Sequence, residues 1–428
     1  MSPGDQPGRD CVIAGGGPAG MVLGYLLARA GLKVTVLEKH ADFLRDFRGD
    51  TVHPSTVTLL GELGLREKFL QLPLTRLPTL DAVVEGQRIT MADFRSLGGP
   101  DNFLVLAPQW DFLNFLAREA AAFPTFELLM NSGATGLIIE QDQVRGVRIE
   151  TPDGGREVRA TLTVAADGRA SVLRAAAGLV PDEFGVPIDV LWFNLPKPPS
   201  PPPVTLGYIS SRGMVLTLDR GDRYQSGMAI RKGGLDELRG AGLDAFRERL
   251  ARAAPVLQPV VGTLQDWGQV KLLSVQINRL RRWYRPGFMA IGDAAHAMSP
   301  VFGVGVNFAI QDAVALFNAI SGDLAAGAVP VEKLAAVQRR RELPVKVMQL
   351  IQRNGHKAIS RAATGRRFAP GWVVALIRLA SPLLRRFTAR FIGVGIRPEH
   401  VKPAAPASMR SKPRPDGQTD ALPPSQGK

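Results

Sequence analysis

The sequence predicts an α/β protein: a Rossmann-like nucleotide-binding layer, an inserted β-sheet and a set of C-terminal helices. Three observations carry that prediction. A glycine fingerprint joins a strand to a helix near the N-terminus, a second glycine-rich turn of the same kind recurs at residues 292–307, and strand-like apolar runs fill much of the stretch between. At 428 residues the chain can bury two or three domains.

The elements follow in order. "CVIA" (11–14) reads as a short buried strand, "GGGPAG" (15–20) as a turn and "MVLGYLLARA" as a helix stopped by Gly31, after which "KVTVLE" (33–38) returns as a second, parallel strand. From 126 to 166 the runs "FELLM", "GLIIE", "VRGVRIE" and "ATLTVAA" suggest an antiparallel meander. Residues 180–275 mix strands ("DVLWFNL", "MVLTLD", "YQSGMAI") with one helix near 235–253, and "LPKPPSPPP" (195–203) is a stiff polyproline loop. "FMAIGDAAH" repeats the buried strand followed by glycine, long helices fill about 306–393, and a Pro-, Ser- and Lys-rich tail from His400 is expected to be disordered.

Composition narrows the function. With 45% hydrophobic residues and a mean hydropathy of +0.02 the chain is an ordinary globular sequence, without a run long enough to span a bilayer. MSPGDQPGRD lacks the apolar stretch of a signal peptide, so the cytoplasm is expected. Cys11 is the single cysteine, which excludes an internal disulfide, a paired-cysteine redox relay and a cysteine-rich metal site; no metal is indicated, and any redox chemistry needs a bound cofactor. The net charge of +14 is concentrated at the C-terminal end, where residues 331–428 hold 20 Lys and Arg against 5 Asp and Glu.

Gly15, Gly17 and Gly20 form GxGxxG between a strand and a helix. The first allows a tight turn, the second lets the backbone approach a pyrophosphate, and the third lets helix and strand pack closely. With Pro18 and Ala19 they open the helix whose N-terminal N–H groups face the phosphates. Glu38 ends the second strand, beside Lys39, where an acid can accept from both ribose hydroxyls, and this favours FAD or NAD over NADP in that position.

One dinucleotide unit does not account for the turn at 292–307. FAD is long enough to need a second anchor. Gly292 and Asp293 follow a buried strand, where Asp293 could accept from ribityl hydroxyls; Gly303 and Gly305 would let the backbone approach the flavin, with Val306 and Asn307 in the first turn of a helix aimed at its N1 and O2 edge.

GGGPAG, "AADGRASVLR" (165–174) and "GDAAH" followed by "PVFGVGVN" together resemble the class A FAD-dependent aromatic monooxygenases, the para-hydroxybenzoate hydroxylase fold family that includes ubiquinone-pathway hydroxylases. The resemblance covers about residues 8–345. It implies a three-layer β-β-α FAD-binding domain (1–75, 95–180 and 270–345), a substrate domain (76–94 and 181–269), C-terminal helices (346–399) and a tail (400–428). It further implies that Asp167 and Gly168 lie near the pyrophosphate, that Arg48 in "FRGDTVHPST" contacts the phosphates, and that Gln109 in "APQWDFLNFL" sits over the flavin. The chemistry implied is hydroxylation or epoxidation of an aromatic or quinone-like molecule through a flavin C4a-hydroperoxide, with NADPH or NADH as a transient electron donor. Pro300 is then a pocket wall near the flavin. Trp192 and Asn194, or alternatively Leu191 and Phe193, face the substrate, and His53 is a further candidate contact. His296, at the entrance of the second turn, could equally be a structural donor and receives no role.

Other readings differ in testable ways. A flavin-dependent halogenase needs WxWxIP, and the tryptophans at 110, 192, 267, 283 and 372 never form it. A flavin-linked dehydrogenase or prenyl reductase uses the same motifs without oxygen. The basic segment "GWVVALIRLASPLLRRFTARFIG" (371–393) places Arg378, Arg385, Arg386 and Arg390 toward one face and Val373, Leu376, Leu384, Phe387 and Phe391 toward the other, with Pro382 interrupting it. It suits contact with an anionic membrane surface, or docking on the FAD domain or at a homodimer interface with the arginines solvated, and nucleic acid is not an expected partner.

Overall fold

The computed structural model describes residues 8–44, 51–201, 207–363 and 381–403. β1 (Arg9–Ala14) is buried from Cys11 onward and turns into α1 (Pro18–Arg29), whose Pro18 sits where a backbone N–H has no helical partner to lose. Gly31 takes a φ of 76° beyond the helix, and the chain returns as β2 (Val34–Leu37), parallel to β1.

The expected meander forms over three of its four runs: Gly133–Glu140 pairs antiparallel with Gln143–Thr151, which pairs antiparallel with Gly154–Ala165, and only the first run departs from it. Phe126–Leu129 pairs parallel with β2. Gly154–Ala165 is long enough to serve two ladders: up to Arg159 it runs antiparallel to Gln143–Thr151, and from Ala160 it runs parallel to β1. Phe288–Ala290 adds on its far side, also parallel. Ala14, Ala165 and Ala290 are in register, so three loops leave the carboxyl edge of three adjacent parallel strands. In open α/β sheets that edge is where ligands bind.

A second sheet of seven strands runs in the order Lys271–Leu273, Ile188–Pro196, Arg223–Arg231, Gly213–Asp219, Gly207–Ser210, Thr79–Val84, Gln87–Asp93. Its back face packs Leu191, Phe193, Leu195 and Met228 against Phe246 and Leu250 of the helix Leu243–Ala253. Its front face joins Val190, Trp192, Leu218 and Ala229 to Leu104, Leu106, Ile277 and Ile359. The single helix expected over 235–253 is two, Leu235–Ala241 and Leu243–Ala253, broken at Gly242, where φ is 93°. The first two residues of the expected polyproline loop, Leu195 and Pro196, end the strand Ile188–Pro196, and its described remainder, 197–201, is coil with a bend at 199–200.

Helix Gly305–Ala325 packs on α1, and the 33-residue helix Val331–Ala363 crosses it and reaches the front of the second sheet. Helix Ser381–Gly393 lies on the strand Gln87–Asp93, with Pro382 in its first turn. Residues 371–380, with Val373, Leu376 and Arg378, lie outside the described residues. Along Ser381–Gly393, Leu383 and Phe387 are 81% and 68% exposed, and Arg386 and Arg390 are exposed as well, while Ala389 and Ile392 are buried. Apolar and basic side chains therefore share the outer face, which corrects the expected segregation. The expected tail begins docked: the Glu62 carboxylate accepts from Val401 N–H at 2.9 Å, and Asn318 Oδ1 accepts from Lys402 N–H at 2.9 Å. Among the described residues no helix is long and apolar enough to cross a membrane.

Candidate functional site

The first turn is shaped by backbone contact. Gly15 has a φ of 108°, and a Cβ there would stand 2.2 Å from the carbonyl oxygen of Ala166; a Cβ on Gly20 would stand 1.9 Å from the carbonyl oxygen of Gly15. Gly17, the N-cap of α1, differs, because a Cβ there would meet nothing within 4 Å. Its side is open space, and α1 has neither a side-chain cap nor an acidic residue in its first turn. The free N–H groups and the helix dipole thus face a gap suited to an anion. The buried carboxylate of Glu38 accepts from Gly16 N–H at 3.2 Å and from His40 N–H at 3.1 Å, which fixes the acid at the end of β2. Lys39 is exposed beside it. Arg48 lies outside the described residues.

The second turn adjoins the first. A Cβ on Gly292, where φ is 58°, would lie 3.4 Å from the Ala19 methyl and 3.2 Å from that of Ala309. The two glycine turns, far apart in sequence, are therefore in contact. The segment between them completes the edge. Asp167 accepts from Leu173 N–H at 3.2 Å through one oxygen, while its other oxygen is buried with no hydrogen-bond partner, and burial holds its pKa above the usual carboxylate range. Gly168 follows with φ of 83°. Arg169 donates from Nε to Asp293 at 3.0 Å, and Arg174 donates to the Ala294 carbonyl at 3.1 Å, tying this segment to the second turn.

Remote side chains hold that turn in place. Asp312, buried in the helix Gly305–Ala325, accepts from Gly292 N–H at 3.0 Å, pairs with His296 at 2.6 Å and accepts from Arg341 at 3.0 Å. Burial pushes its carboxyl upward, but the His296 and Arg341 charges outweigh this and hold it below the ordinary value. His296 is thus a structural partner. The long helix Val331–Ala363 adds a row of buried amides and one imidazole. Gln349 donates to the carbonyls of Asn278 and Ala297; Gln352 accepts from Ser299 N–H and donates to the Ser299 carbonyl; His356 Nε2 lies 2.6 Å from Ser299 Oγ. On the other side Thr51 Oγ donates to the Gly303 carbonyl at 2.8 Å, and a Cβ on Gly303 would stand 2.4 Å from that hydroxyl.

His53 corrects an expectation. Its ring is fully buried, with Nδ1 2.8 Å from the Ile392 carbonyl and Nε2 3.0 Å from that of Gly303, so it anchors the turn and offers nothing to a substrate. The Asn307 side chain is likewise engaged, accepting from the hydroxyls of Ser55 and Thr56. The backbone of Gly305, Val306 and Asn307 opens a helix with no side-chain cap and no acid in its first turn.

The front of the second sheet carries one pair of the sequence-predicted substrate residues. Trp192 lies on its front, with the indole across Gly227, where a Cβ would meet the ring at 3.2 Å; Asn194 stands on the same side and is exposed. Leu191 and Phe193 point to the back, against Phe246. Gln225, in register with Asn194, has its amide oxygen held by Arg220 Nε and Nη2 at 2.9 and 2.7 Å. Gln109 begins the helix Gln109–Ala120, and burial raises the pKa of Asp111 in its first turn, against the opposing charge of Arg220.

The residues present fit a dinucleotide gripped at both ends. An open anion-binding helix terminus with a fixed acid at the neighbouring strand end suits the adenosine and pyrophosphate half. An uncapped helix in contact with it suits the flavin half. Thr51, Asp312, Gln349, Gln352 and His356 escaped the sequence reading; their one signal is the three- and four-residue spacing of 349, 352 and 356 within a long helix.

Residues 9–350 match the family described as FAD binding domain. A 6-methylpretetramide 4-monooxygenase of Streptomyces rimosus is 33% identical over 341 residues, 79% of this chain and 81% of that protein. Digeranylgeranylglycerophospholipid reductase 1 of Methanopyrus kandleri is 27% identical over 353 residues, 76% of this chain and 83% of that protein. The solved structure of OxyS, an anhydrotetracycline hydroxylase from Streptomyces rimosus, shares the fold with a TM-score of 0.73 at 23% identity, covering 91% of this chain and 77% of that one.

Proposed function

The chain belongs to the FAD-binding-domain family and is an FAD-dependent monooxygenase, and from that premise we propose that it oxygenates a flat, fused-ring aromatic substrate laid against the Trp192 face of the second sheet. Bound FAD would supply the redox chemistry, taking electrons from NADPH or NADH and activating dioxygen. The observation that carries the reading is the meeting of the two glycine turns at one sheet edge, with Gly292 against Ala19.

Each group has a separate task. Glu38 would accept from the ribose hydroxyls and the N–H groups of Gly17, Ala19 and Gly20 would hold the pyrophosphate, with Asp167 and Gly168 flanking it. Asp293, one oxygen of which is held by Arg169, would accept from ribityl hydroxyls. The N–H groups of Gly305–Asn307 would stabilise negative charge at the flavin edge. Trp192, Leu216 and Leu218 would present an apolar floor and keep water away, Asn194 and Gln225 would bond polar substituents at its rim, and Pro300 and Gln109 would close the remaining sides. The relatives named for 6-methylpretetramide and anhydrotetracycline support a multi-ring substrate of this kind. The division into an FAD domain, a substrate sheet and C-terminal helices belongs to the same reading.

The test combines a visible spectrum with oxygen uptake. Purified protein should be yellow, and NADPH oxidation should accelerate with a hydroxylated anthraquinone and consume one dioxygen per donor. Asp293→Ala should lose most of its flavin; full occupancy in that variant would remove the role given to the second turn. Turnover of substrate under strict anaerobic conditions would instead favour the reductase reading, which the match to the phospholipid reductase supports.

We also propose peripheral contact with an anionic membrane through Ser381–Gly393, on the strength of exposed Leu383 and Phe387 beside exposed Arg386 and Arg390. Failure to co-sediment with phosphatidylglycerol vesicles at low salt would exclude it.

A further inference from the structure

Phe302 occupies a backbone position that a phenylalanine should avoid. Gly303 N–H donates to the Pro300 carbonyl at 3.0 Å and closes a four-residue turn, in which Phe302 is the third residue with φ 72° and ψ −1°. Those are the dihedrals of the third position of a type II turn, which favours glycine or asparagine because a Cβ crowds the following carbonyl. Five other non-glycine residues with positive φ are described, Glu85, Asn131, Gln141, Asp142 and Arg397, all polar; Phe302 is the one aromatic among them.

Packing does not offset this strain. Phe302 is 38% exposed and belongs to none of the apolar clusters of the described residues. Nor is the turn free to relax. At its entrance Ser299 is fastened at backbone N–H and carbonyl by Gln352 and at its hydroxyl by His356; at its exit the Gly303 carbonyl accepts from Thr51 and faces His53 Nε2 at 3.0 Å. A strained conformer that its surroundings over-determine, carrying an exposed ring beside the cofactor helix, is a functional device more often than an accident of packing.

We propose that Phe302 is a specificity-determining residue: its ring is held out, at a cost in backbone strain, as a stacking surface for one face of a planar polycyclic aromatic substrate. The assignment rests on the oxygenase reading above and deepens it by naming the feature that selects fused rings over single ones. A ring already fixed in place loses little freedom when it stacks, so a large flat partner gains most from it.

The test uses full-length, FAD-loaded protein and 1,8-dihydroxyanthraquinone as probe, with 4-hydroxybenzoate for comparison. Binding is measured by calorimetry and thermal stability by unfolding. Phe302→Gly should raise the melting temperature by about 1–3 °C as the strain is released, and should weaken the anthraquinone by about tenfold. The single-ring probe should change by less than about twofold, since it has little area to stack. Phe302→Ala should lose binding without gaining stability, and Phe302→Tyr should keep both near the parent values. Unchanged anthraquinone affinity in Phe302→Gly, or a fall in its melting temperature, would overturn this assignment and leave the oxygenase reading standing. A parent enzyme that neither binds the anthraquinone nor consumes oxygen with it would overturn both.

Discussion

The turn at Gly15–Gly20 and the turn at Gly292–Asn307 leave strands of one sheet and touch each other, yet different forces shape them. In the first, glycines stand where a Cβ would strike backbone one or two ångströms too close, and the geometry is settled by residues within a few positions and by one neighbouring strand. In the second, carboxylate, amide and imidazole groups from residues 278, 312, 349, 352 and 356, with Thr51 and His53, grip the backbone from outside. Recognition of a pyrophosphate needs only close approach and N–H donors. Chemistry at a flavin needs a loop that keeps one position while charge develops beside it, and a network of buried hydrogen bonds supplies that rigidity.

The sharpest contrast lies within the first turn. Gly15→Ala would drive a methyl into the Ala166 carbonyl at a φ of 108°, so a loss of about 4 kcal/mol or more is expected, read as aggregation or a collapsed melting transition. Gly17→Ala faces open space at an ordinary φ of −74°, so the fold should survive with its melting temperature nearly unchanged. Its FAD content should fall all the same, because the added methyl occupies the space proposed for the pyrophosphate. Equal flavin content in Gly17→Ala and the parent protein would break the assignment of that space.

At the second turn the largest effect belongs to Asp312. Asp312→Asn keeps the shape but leaves Arg341 and His296 without their buried carboxylate, although Glu399 stays 3.5 Å from Arg341. Breaking a buried ionic network of this kind costs about 3–5 kcal/mol. A lowered melting temperature together with faster FAD release is expected in stopped-flow or dilution measurements. A variant that is destabilised but releases FAD at the parent rate would show that the network supports the helices alone and does not hold the turn.

How far each region could be read from sequence follows the same division. GxGxxG and the acid at the end of β2 are local patterns, and the strand, helix and strand around them formed where the residues indicated. The resemblance to flavin monooxygenases reached the second turn through its own glycines and Asp293. Its supports were not legible, since Asp312, Gln349, Gln352 and His356 look like ordinary polar positions on helices until their partners at 278, 292, 297 and 299 are brought beside them. Alternation could not orient "DVLWFNL" either, because both faces of Ile188–Phe193 are buried and no polar side marks the outside. What orients it is Gly227 on the partner strand, which leaves room for the Trp192 indole. His53 differs for a related reason: a histidine in a loop before a helix resembles a substrate contact, but the groups its ring nitrogens meet are carbonyls 250 and 339 residues away.

The smallest expected effect separates the two turns by pH. Nothing in the glycine backbone of the first turn titrates, whereas His356, against Ser299, is buried and its pKa is lowered to about 4. An unfolded histidine titrates near 6.5, so between these values the unfolded chain binds a proton that the native protein refuses. The stabilisation from a neutral His356 is complete above about pH 6.5 and is lost as pH falls toward 4. Melting temperature should therefore decline from pH 7.5 to 5 more steeply in the parent than in His356→Asn, which cannot take up the proton. FAD affinity should follow the same difference if the turn loosens when His356 charges. Parallel declines in the two proteins would place the pH sensitivity elsewhere and leave the clamp on Ser299 a packing contact without influence on the flavin end.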